Sequence, residues 1–443
     1  MRTRSFLRAA AMLALVVAAT LTPSRLALAQ PTIAIPYENP GTDGDFAPVA
    51  SVQVDLGLAQ SGPTVDWQTV GNGNGVYDPA KWAVVFKYGS VNIPAGVTVT
   101  FRNHPSRAPV VWLVDGDVTI AGTVNLNGGN GVLFPNLAEP GPGGFRGGSG
   151  YLSGSVRGGS GFGPGGGNRN ANGTSHGGGG SYGGQASFGG PVYGNVQILP
   201  LIGGSGGAGS DSCAYGGGTG GGAILVAASG SVTVSGSITA SGGNGSGDGG
   251  GACGDGGGGS GGAIRIIAAS LAGAGALRAG AGNDGGSAYS GADGRIRLEV
   301  DPAQVSGTVA TNSTPFTTPV APADPPLLWP PDDGAPFVRI VSIGGVAVPE
   351  DPAASLQLPN ADLVFENIAS VQVVLEVRNA PETAAVTLVF QNRQGTRGTR
   401  NARFVGGNSV LSMWEVLQAA SPESLDIPVG TGFTLFQAKV RTN

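Results

Sequence analysis

Residues 116–131 read GDVTIAGTVNLNGGNG, residues 230–245 read GSVTVSGSITASGGNG, and residues 270–283 repeat the pattern loosely as SLAGAGALRAGAGN. In register, Val118 aligns with Val232 and Leu271, Gly122 with Gly236 and Gly275, and Val124 with Ile238 and Leu277. Each copy holds two short alternating segments about a glycine, followed by a glycine run. Alternation at period 2 puts Val118, Ile120, Val124 and Leu126 on one face and Thr119 and Asn125 on the other, as in a half-buried strand. A unit this short cannot enclose its own apolar face. Copies must stack on their neighbours, and stacked copies make a solenoid. The aligned glycines mark corners that need φ > 0 or close backbone approach.

A second motif precedes the first. Residues 219–229 read TGGGAILVAAS, 260–270 read SGGAIRIIAAS and 292–300 read ADGRIRLEV. Ile224, Ile264 and Ile296 align, as do Val226, Ile266 and Leu298. Three strands per turn, few charges and β-branched interiors predict a right-handed parallel β-helix over residues 82–300, with small residues such as Ala240, Gly273 and Ala279 narrowing the interior. Upstream, WAVVFKY, GVTVTFR and APVVWLV extend the strand pattern back to Trp82. Residues 30–81 are polar and turn-rich and read as a cap.

Residues 131–218 interrupt the pattern as a long glycine-rich insertion carrying Phe145, Tyr151, Phe162, Tyr182, Phe188 and Tyr193. Two readings fit it. One is a disordered loop. The other is a layer of ordered glycine strands pinned to the solenoid by the aromatics, since chains without Cβ can lie close together. Residues 301–335 are rich in Pro and Thr and read as a semi-rigid linker. Beyond them glycine falls away. FVRIVSI, ASLQLP, DLVFEN, VQVVLEV, AVTLVFQ, SLDIPV and FTLFQAKV predict an immunoglobulin-like β-sandwich over 336–443, while SMWEVLQAA (412–420) is ambiguous between strand and helical turn. The fold class is therefore all-β.

The first 29 residues read as a Sec-type signal peptide: Arg2, Arg4 and Arg8, an apolar stretch from Ala9 to Leu21, and an Ala27-Leu28-Ala29 site that predicts cleavage between Ala29 and Gln30. No cysteine stands at the cleavage point, which argues against a lipid anchor. Residues 30–443 hold no apolar run long enough for a membrane helix. Removing Arg2, Arg4, Arg8 and Arg25 leaves 19 basic groups against 28 acidic ones, a net charge of −9. That balance argues against nucleic acid and anionic membranes as partners. Export permits a disulfide between the two cysteines. Cys213 lies ten residues before Ala223 and Cys253 ten before Ala263, at equal offsets from the same motif. Parallel rungs sit about 4.8 Å apart, within the Cα separations of about 4.4–6.8 Å that a disulfide accepts, so the spacing predicts the bond.

The stretch 76–131, VYDPAKWAVVFKYGSVNIPAGVTVTFRNHPSRAPVVWLVDGDVTIAGTVNLNGGNG, resembles a family of secreted bacterial glycine-rich β-solenoid proteins with a C-terminal Ig-like domain. GGGSGGAIRI at 257–266 resembles their glycine motif, and FVRIVSIGGVAVP at 337–349 the start of their C-terminal domain. The resemblance covers most of residues 30–443. It implies export, a β-solenoid and an Ig-like tail, and it carries no catalytic residue over.

Candidate chemistry is sparse. Many β-helix proteins cleave polysaccharides with clustered outward carboxylates and a basic residue in one groove. The charges available here are Arg265, Arg278, Arg297 and Glu299, with Asp248, Asp255, Asp284 and Asp293 in glycine loops where Asp commonly stabilises turns. GGNGSGDGG (242–250) lacks the apolar residue and tandem repetition of a calcium nonapeptide. With two histidines far apart, His104 and His176, no metal site or cofactor is expected. In the turn 103–107, His104 and Arg107 are candidate ligand-binding residues, against the plainer reading of a hydrogen-bonded corner. Ser106 has no evident acid partner. Threonines 119, 123, 233 and 239 are too few for an ice-binding array and read as a solvent face. These readings converge on an exported, non-enzymatic structural or adhesive surface or matrix protein, with cell-surface glycans or other surface proteins as partners. The alternative is a carbohydrate-binding or carbohydrate-active β-helix protein, recognisable by carboxylates and a cation converging in one groove.

Overall fold

The computed structural model describes residues 31–134, 136–151, 158–169, 171–248, 253–284, 289–307, 309–312, 318–330, 336–349, 362–365, 371–392, 397–416 and 434–441. The expected signal sequence and its Ala29/Gln30 site lie outside them. The chain is all-β. Its helical content among the described residues is confined to single 3-10 turns at Leu56–Leu58, Ala171–Gly173 and Pro302–Gln304.

Residues 52–320 build three parallel ladders. The first joins Ala83–Tyr88, Val110–Val114, the start of Ala223–Val234, the start of Ala263–Ala272, and Arg295–Glu299. The second joins Val91–Ile93, Val118–Ile120 and the later parts of Ala223–Val234 and Ala263–Ala272. The third joins Val52–Asp55, Thr98–Arg102, Thr123–Asn125, Ser237–Thr239, Ala276–Arg278 and Ala310–Asn312. The repeat alignment holds residue by residue. Val232 pairs with both Val118 and Leu271, Ile238 with both Val124 and Leu277, and Ile264 with both Ile224 and Ile296.

One apolar interior runs through all three ladders, with Phe86, Trp112, Val118, Ile120, Val124, Val226, Ile238, Ile266 and Leu277 among its buried members. Ala240 and Ala279 belong to it as small residues. The first ladder is covered on its other side as well. Ile35, Tyr182, Ile198, Leu201 and Leu328 bury Val85, Val111, Leu113, Leu225 and Ile267. Burial on both faces explains why AVVF (83–86) and VVWLV (110–114) are continuous apolar runs rather than alternating ones.

Of the two requirements expected at the corner glycines, close approach is the one that applies. Gly122, Gly236 and Gly275 are absent from the left-handed residues. What requires glycine is close approach: a Cβ on Gly236 would sit 2.6 Å from the carbonyl carbon of Ala121, and one on Gly275 2.7 Å from the Val234 oxygen.

The ladders also run past residue 300. Ala310–Asn312 adds a strand to the third, while Val305 bridges Leu271 and Val320 bridges Glu299. Segment 301–320, read as linker, thus contributes pairing at the end of each ladder. Further on, Leu328 is buried and Trp329 meets Trp67 edge-on at 5.4 Å.

Two antiparallel sheets occupy the C-terminal region. One has the order Val346–Ala347, Phe337–Ile343, Val373–Arg378, Leu411–Val416, Arg403–Gly407; the other has Arg397–Asn401, Ala385–Asn392, Thr434–Arg441. They share an apolar cluster that includes Val373, Leu375, Val377, Val386, Leu388, Phe390 and Trp414. The ambiguous segment is a strand over Leu411–Val416. Residues 362–365 of DLVFEN carry no strand. ASLQLP and SLDIPV lie outside the described residues. The strands Arg397–Asn401 and Arg403–Gly407 were unexpected, because their Gly, Arg and Asn content shows no apolar alternation.

Candidate functional site

The described part of the glycine-rich insertion is an ordered, hydrogen-bonded framework. Segment 216–223 shows its logic. Gly216, Thr219 and Gly222 donate to the carbonyls of Val132, Gly129 and Leu126; Gly217, Gly220 and Ala223 donate to Gly148, Phe145 and Pro142; Gly218 and Gly221 donate to Gly257 and Ser260. The partner changes at every residue and returns every third, the period of a threefold polyproline II-type chain. The same segment accepts from two more neighbours, with Gly207 and Gly204 donating to Gly218 and Gly221, and Ser246 and Gly243 donating to Gly216 and Thr219. Five extended segments therefore surround one. All of Gly216–Gly222 is buried. Buried backbone polar groups must be paired, and here other glycine chains pair them.

At the glycines of this lattice side chains are excluded by contact. A Cβ on Gly217 would lie 2.5 Å from the carbonyl carbon of Gly207, and one on Gly207 2.5 Å from that of Gly257. Cys213 and Cys253 are joined by a disulfide with their Cα atoms 5.7 Å apart, tying two segments of the lattice together. Their motifs are paired, Ala223 with Ala263, as the equal offsets predicted. Tyr182 and Tyr193 anchor the layer to the first ladder. Their rings pack at 4.6 Å, the Tyr193 hydroxyl donates to the Gly203 carbonyl at 2.6 Å, and Arg295 lies over the Tyr182 ring at 5.5 Å. Burial raises both phenols above their ordinary range. Phe188, by contrast, is 44% exposed.

The His104 turn joins the ladders to this layer. His104 is buried, stacks on Tyr77 at 4.0 Å, and its Nδ1 meets the Ser106 hydroxyl at 2.8 Å. Arg107 bonds Glu139 through two nitrogens, Nε at 3.1 Å and an NH2 at 3.3 Å. Arg146 engages the same carboxylate. Asn103 donates to the Pro140 carbonyl at 2.8 Å, and Gly143 N–H donates to the Arg107 carbonyl at 2.7 Å. Desolvation alone would raise the Glu139 carboxyl, but the guanidinium groups of Arg146 and Arg107 hold it below its usual value. Of the two candidate ligand residues, Arg107 thus acts in a clamp on the entry to the glycine layer, and His104 packs in the turn beside it. Glu139 and Arg146 escaped the sequence reading; their signal was an acid and a base seven residues apart in an otherwise almost uncharged stretch.

Arg265, Arg297 and Glu299 do converge, but beneath a cover. Glu299 Oε1 accepts from Arg265 Nε at 2.7 Å and from Arg297 Nε at 2.9 Å, while Arg265 also donates to the Leu327 carbonyl at 2.6 Å. Arg265 is 1% exposed and Glu299 4%, so these two are withdrawn from solvent, while Arg297 is half-buried. The loop aspartates serve turns: Asp255 accepts from Asp248 N–H, Asp284 from Tyr289 N–H and Asp293 from Ala281 N–H. Among the described residues no group of three His, Cys, Asp or Glu side chains could hold a metal ion.

Lys87 is a further buried charge that the sequence did not flag. It is fully buried in the first ladder, and its Nζ donates to the Thr69 carbonyl. Desolvation lowers its pKa against the opposing pull of Asp43, Asp66 and Glu38. Asp43 in turn accepts from the backbone N–H groups of Gly73 at 2.8 Å and Lys87 at 2.7 Å, fastening segment 38–75 to the ladder. Among the described residues no helix is long and apolar enough to cross a membrane.

No family model, curated protein or solved structure matches the chain.

Proposed function

We propose that the chain is an exported, non-enzymatic structural or adhesive protein of the cell surface or matrix, of the secreted bacterial glycine-rich kind that its sequence resembles. In this reading the three ladders are the faces of a right-handed β-solenoid, and the glycine lattice is a rigid slab at one of its corners. The antiparallel sheets of 336–443 are an Ig-like sandwich serving as an attachment module. The observation that carries the reading is the disulfide within the glycine lattice, because such a bond persists in an oxidising compartment and stiffens a body already held by backbone pairing. The burial of Arg265 and Glu299 supports a framework role for charges that the carbohydrate-cleaving alternative would need in a groove.

The test is expression of the full chain in a bacterial host, with and without residues 1–29. The expected product of the full chain begins at Gln30, resides in the envelope or medium, and shows no titratable thiol when unfolded without reductant. An uncleaved cytosolic product with two titratable thiols would overturn the reading.

A further inference from the structure

We infer that the outer face of the third ladder is a docking track for an extended, uncharged polysaccharide strand, an inference that rests on the adhesive reading and names its ligand class. Strand pairing brings Gln53, Thr100, Asn125, Thr239, Arg278 and Asn312 into one file, one residue per strand. This sorting was not visible in sequence. Thr119 and Thr233, grouped there with Thr123 and Thr239, belong to a different ladder. All six side chains are half-buried or exposed. The file advances about 4.8 Å per strand, close to the length that one pyranose adds to an extended chain.

The hydrogen bonds within the file decide what each position offers. The Thr100 hydroxyl donates to the Val52 carbonyl at 3.4 Å and the Thr239 hydroxyl to Asn125 Oδ1 at 3.5 Å, so both present oxygen lone pairs outward. Asn125 Oδ1 also accepts from Asn127 N–H at 2.9 Å, and Asn312 Oδ1 accepts from Ala279 N–H at 3.1 Å. Their amide NH2 groups are thus the parts left to offer. Thr100, Asn125, Thr239 and Arg278 consequently read acceptor, donor, acceptor, donor along the track. Sugar hydroxyls donate and accept at once and match such alternation. A uronate unit replaces a hydroxyl that donates with a carboxylate that only accepts, so it has fewer donors for the threonine oxygens and meets a single cation, Arg278, in the file. The file holds no carboxylate, although the chain as a whole is acidic. Beside it the outward neighbours are small: Thr98, Thr123, Ser237, Ala276 and Ala310 form the parallel file two residues earlier. On that side nothing stands above the track to obstruct a strand; on the other, the exposed Arg102 pairs with Asp55 at the first two strands.

The test is affinity electrophoresis of the purified chain in gels containing hydroxyethyl cellulose, galactomannan or alginate. The variants are Thr239→Val, which keeps the β-branched shape, Asn125→Asp, and Thr119→Val on the neighbouring ladder as control. The expected result is retardation by at least one neutral polymer and not by alginate, weakened about fivefold by T239V or N125D, as loss of one hydrogen bond of about 1 kcal/mol implies, and unchanged by T119V. Retardation by alginate alone, no retardation by any polymer, or equal retardation of all variants would overturn the track. Attachment of the same proteins to bacterial cells is scored in parallel. Attachment that T239V and N125D leave intact would sink the track while sparing the adhesive reading; absence of attachment by wild type would sink both.

Discussion

The ladders and the glycine lattice are both buried and ordered, but they are held by opposite means. In the ladders, side chains fill the interior: Ile264 stacks between Ile224 and Ile296, and all three are buried. Hydrophobic transfer and dispersion stabilise that region, and its tolerance is set by volume. In the lattice there is almost no side chain to bury. Gly217 is held by a backbone bond to Gly148 and by contact with Gly207. Glycine loses more conformational entropy on ordering than any other residue. Dense backbone pairing, the covalent tie and the aromatic anchors must offset that loss. Stability in the ladders thus depends on what side chains add, and in the lattice on what their absence allows.

The sharpest way to break this contrast is to move one carbon in each region. Gly217→Ala adds one where the nearest atoms are backbone that cannot swing aside. Its expected cost is at least about 4 kcal/mol, or failure to fold, as overpacking against fixed atoms is the severe case. Ile264→Val removes one from the ladder core and should cost about 0.5–1.5 kcal/mol. Denaturant midpoints of the two variants, compared at equal m, give the answer. A Gly217→Ala cost no larger than that of Ile264→Val would mean the lattice is not close-packed.

Between those extremes lies the disulfide. Replacing Cys213 and Cys253 together by Ala opens a loop spanning 40 residues. The chain-entropy model then gives a loss of about 3–4 kcal/mol. The difference should localise, with limited proteolysis cutting first among residues near 213 and 253 and sparing the strands around Ile224 and Ile264. Cleavage spread evenly over both regions would show that they unfold as one unit and would erase the distinction.

The smallest effect is expected at the clamp between the regions. Glu139→Gln should cost about 0.2–1 kcal/mol at neutral pH, because Glu139 is half-exposed. Its pH dependence is more telling than its size. The folded carboxyl lies below its unfolded value, so the wild-type contribution is complete above about pH 4.3 and is lost as pH falls through the lowered folded value. Wild type and E139Q should therefore converge in acid. A gap that persists below that range would assign the effect to packing rather than to the ion pairs with Arg107 and Arg146.

The same contrast explains what could be read from the sequence. Ladder register was legible because apolar residues at period 2 repeat with fixed glycine punctuation, so Val118, Val232 and Leu271 could be aligned and their pairing follows. The disulfide was legible because Cys213 and Cys253 stand at equal distance from one motif. The lattice left both readings of 131–218 open, since hydrogen bonds among glycines leave no side-chain pattern to find. Continuation of the ladders into 301–320 was hidden because, among the described residues, Val305, Val320 and the short Ala310–Asn312 carry it, between prolines and threonines. The clamp was hidden for another reason: Arg107 was noticed as polar, but its partners Glu139 and Gly143 arrive from more than thirty residues away, a distance no local spacing reveals.

Amide hydrogen exchange followed residue by residue tests the central claim most directly, because protection reports backbone pairing whether or not a side chain is present. Gly207, Gly217, Gly218 and Gly257 should exchange as slowly as Val226 and Ile266 in the ladders. Exchange of those glycines at the rates of an unstructured peptide, with the ladder amides still protected, would contradict a glycine lattice held by its own backbone.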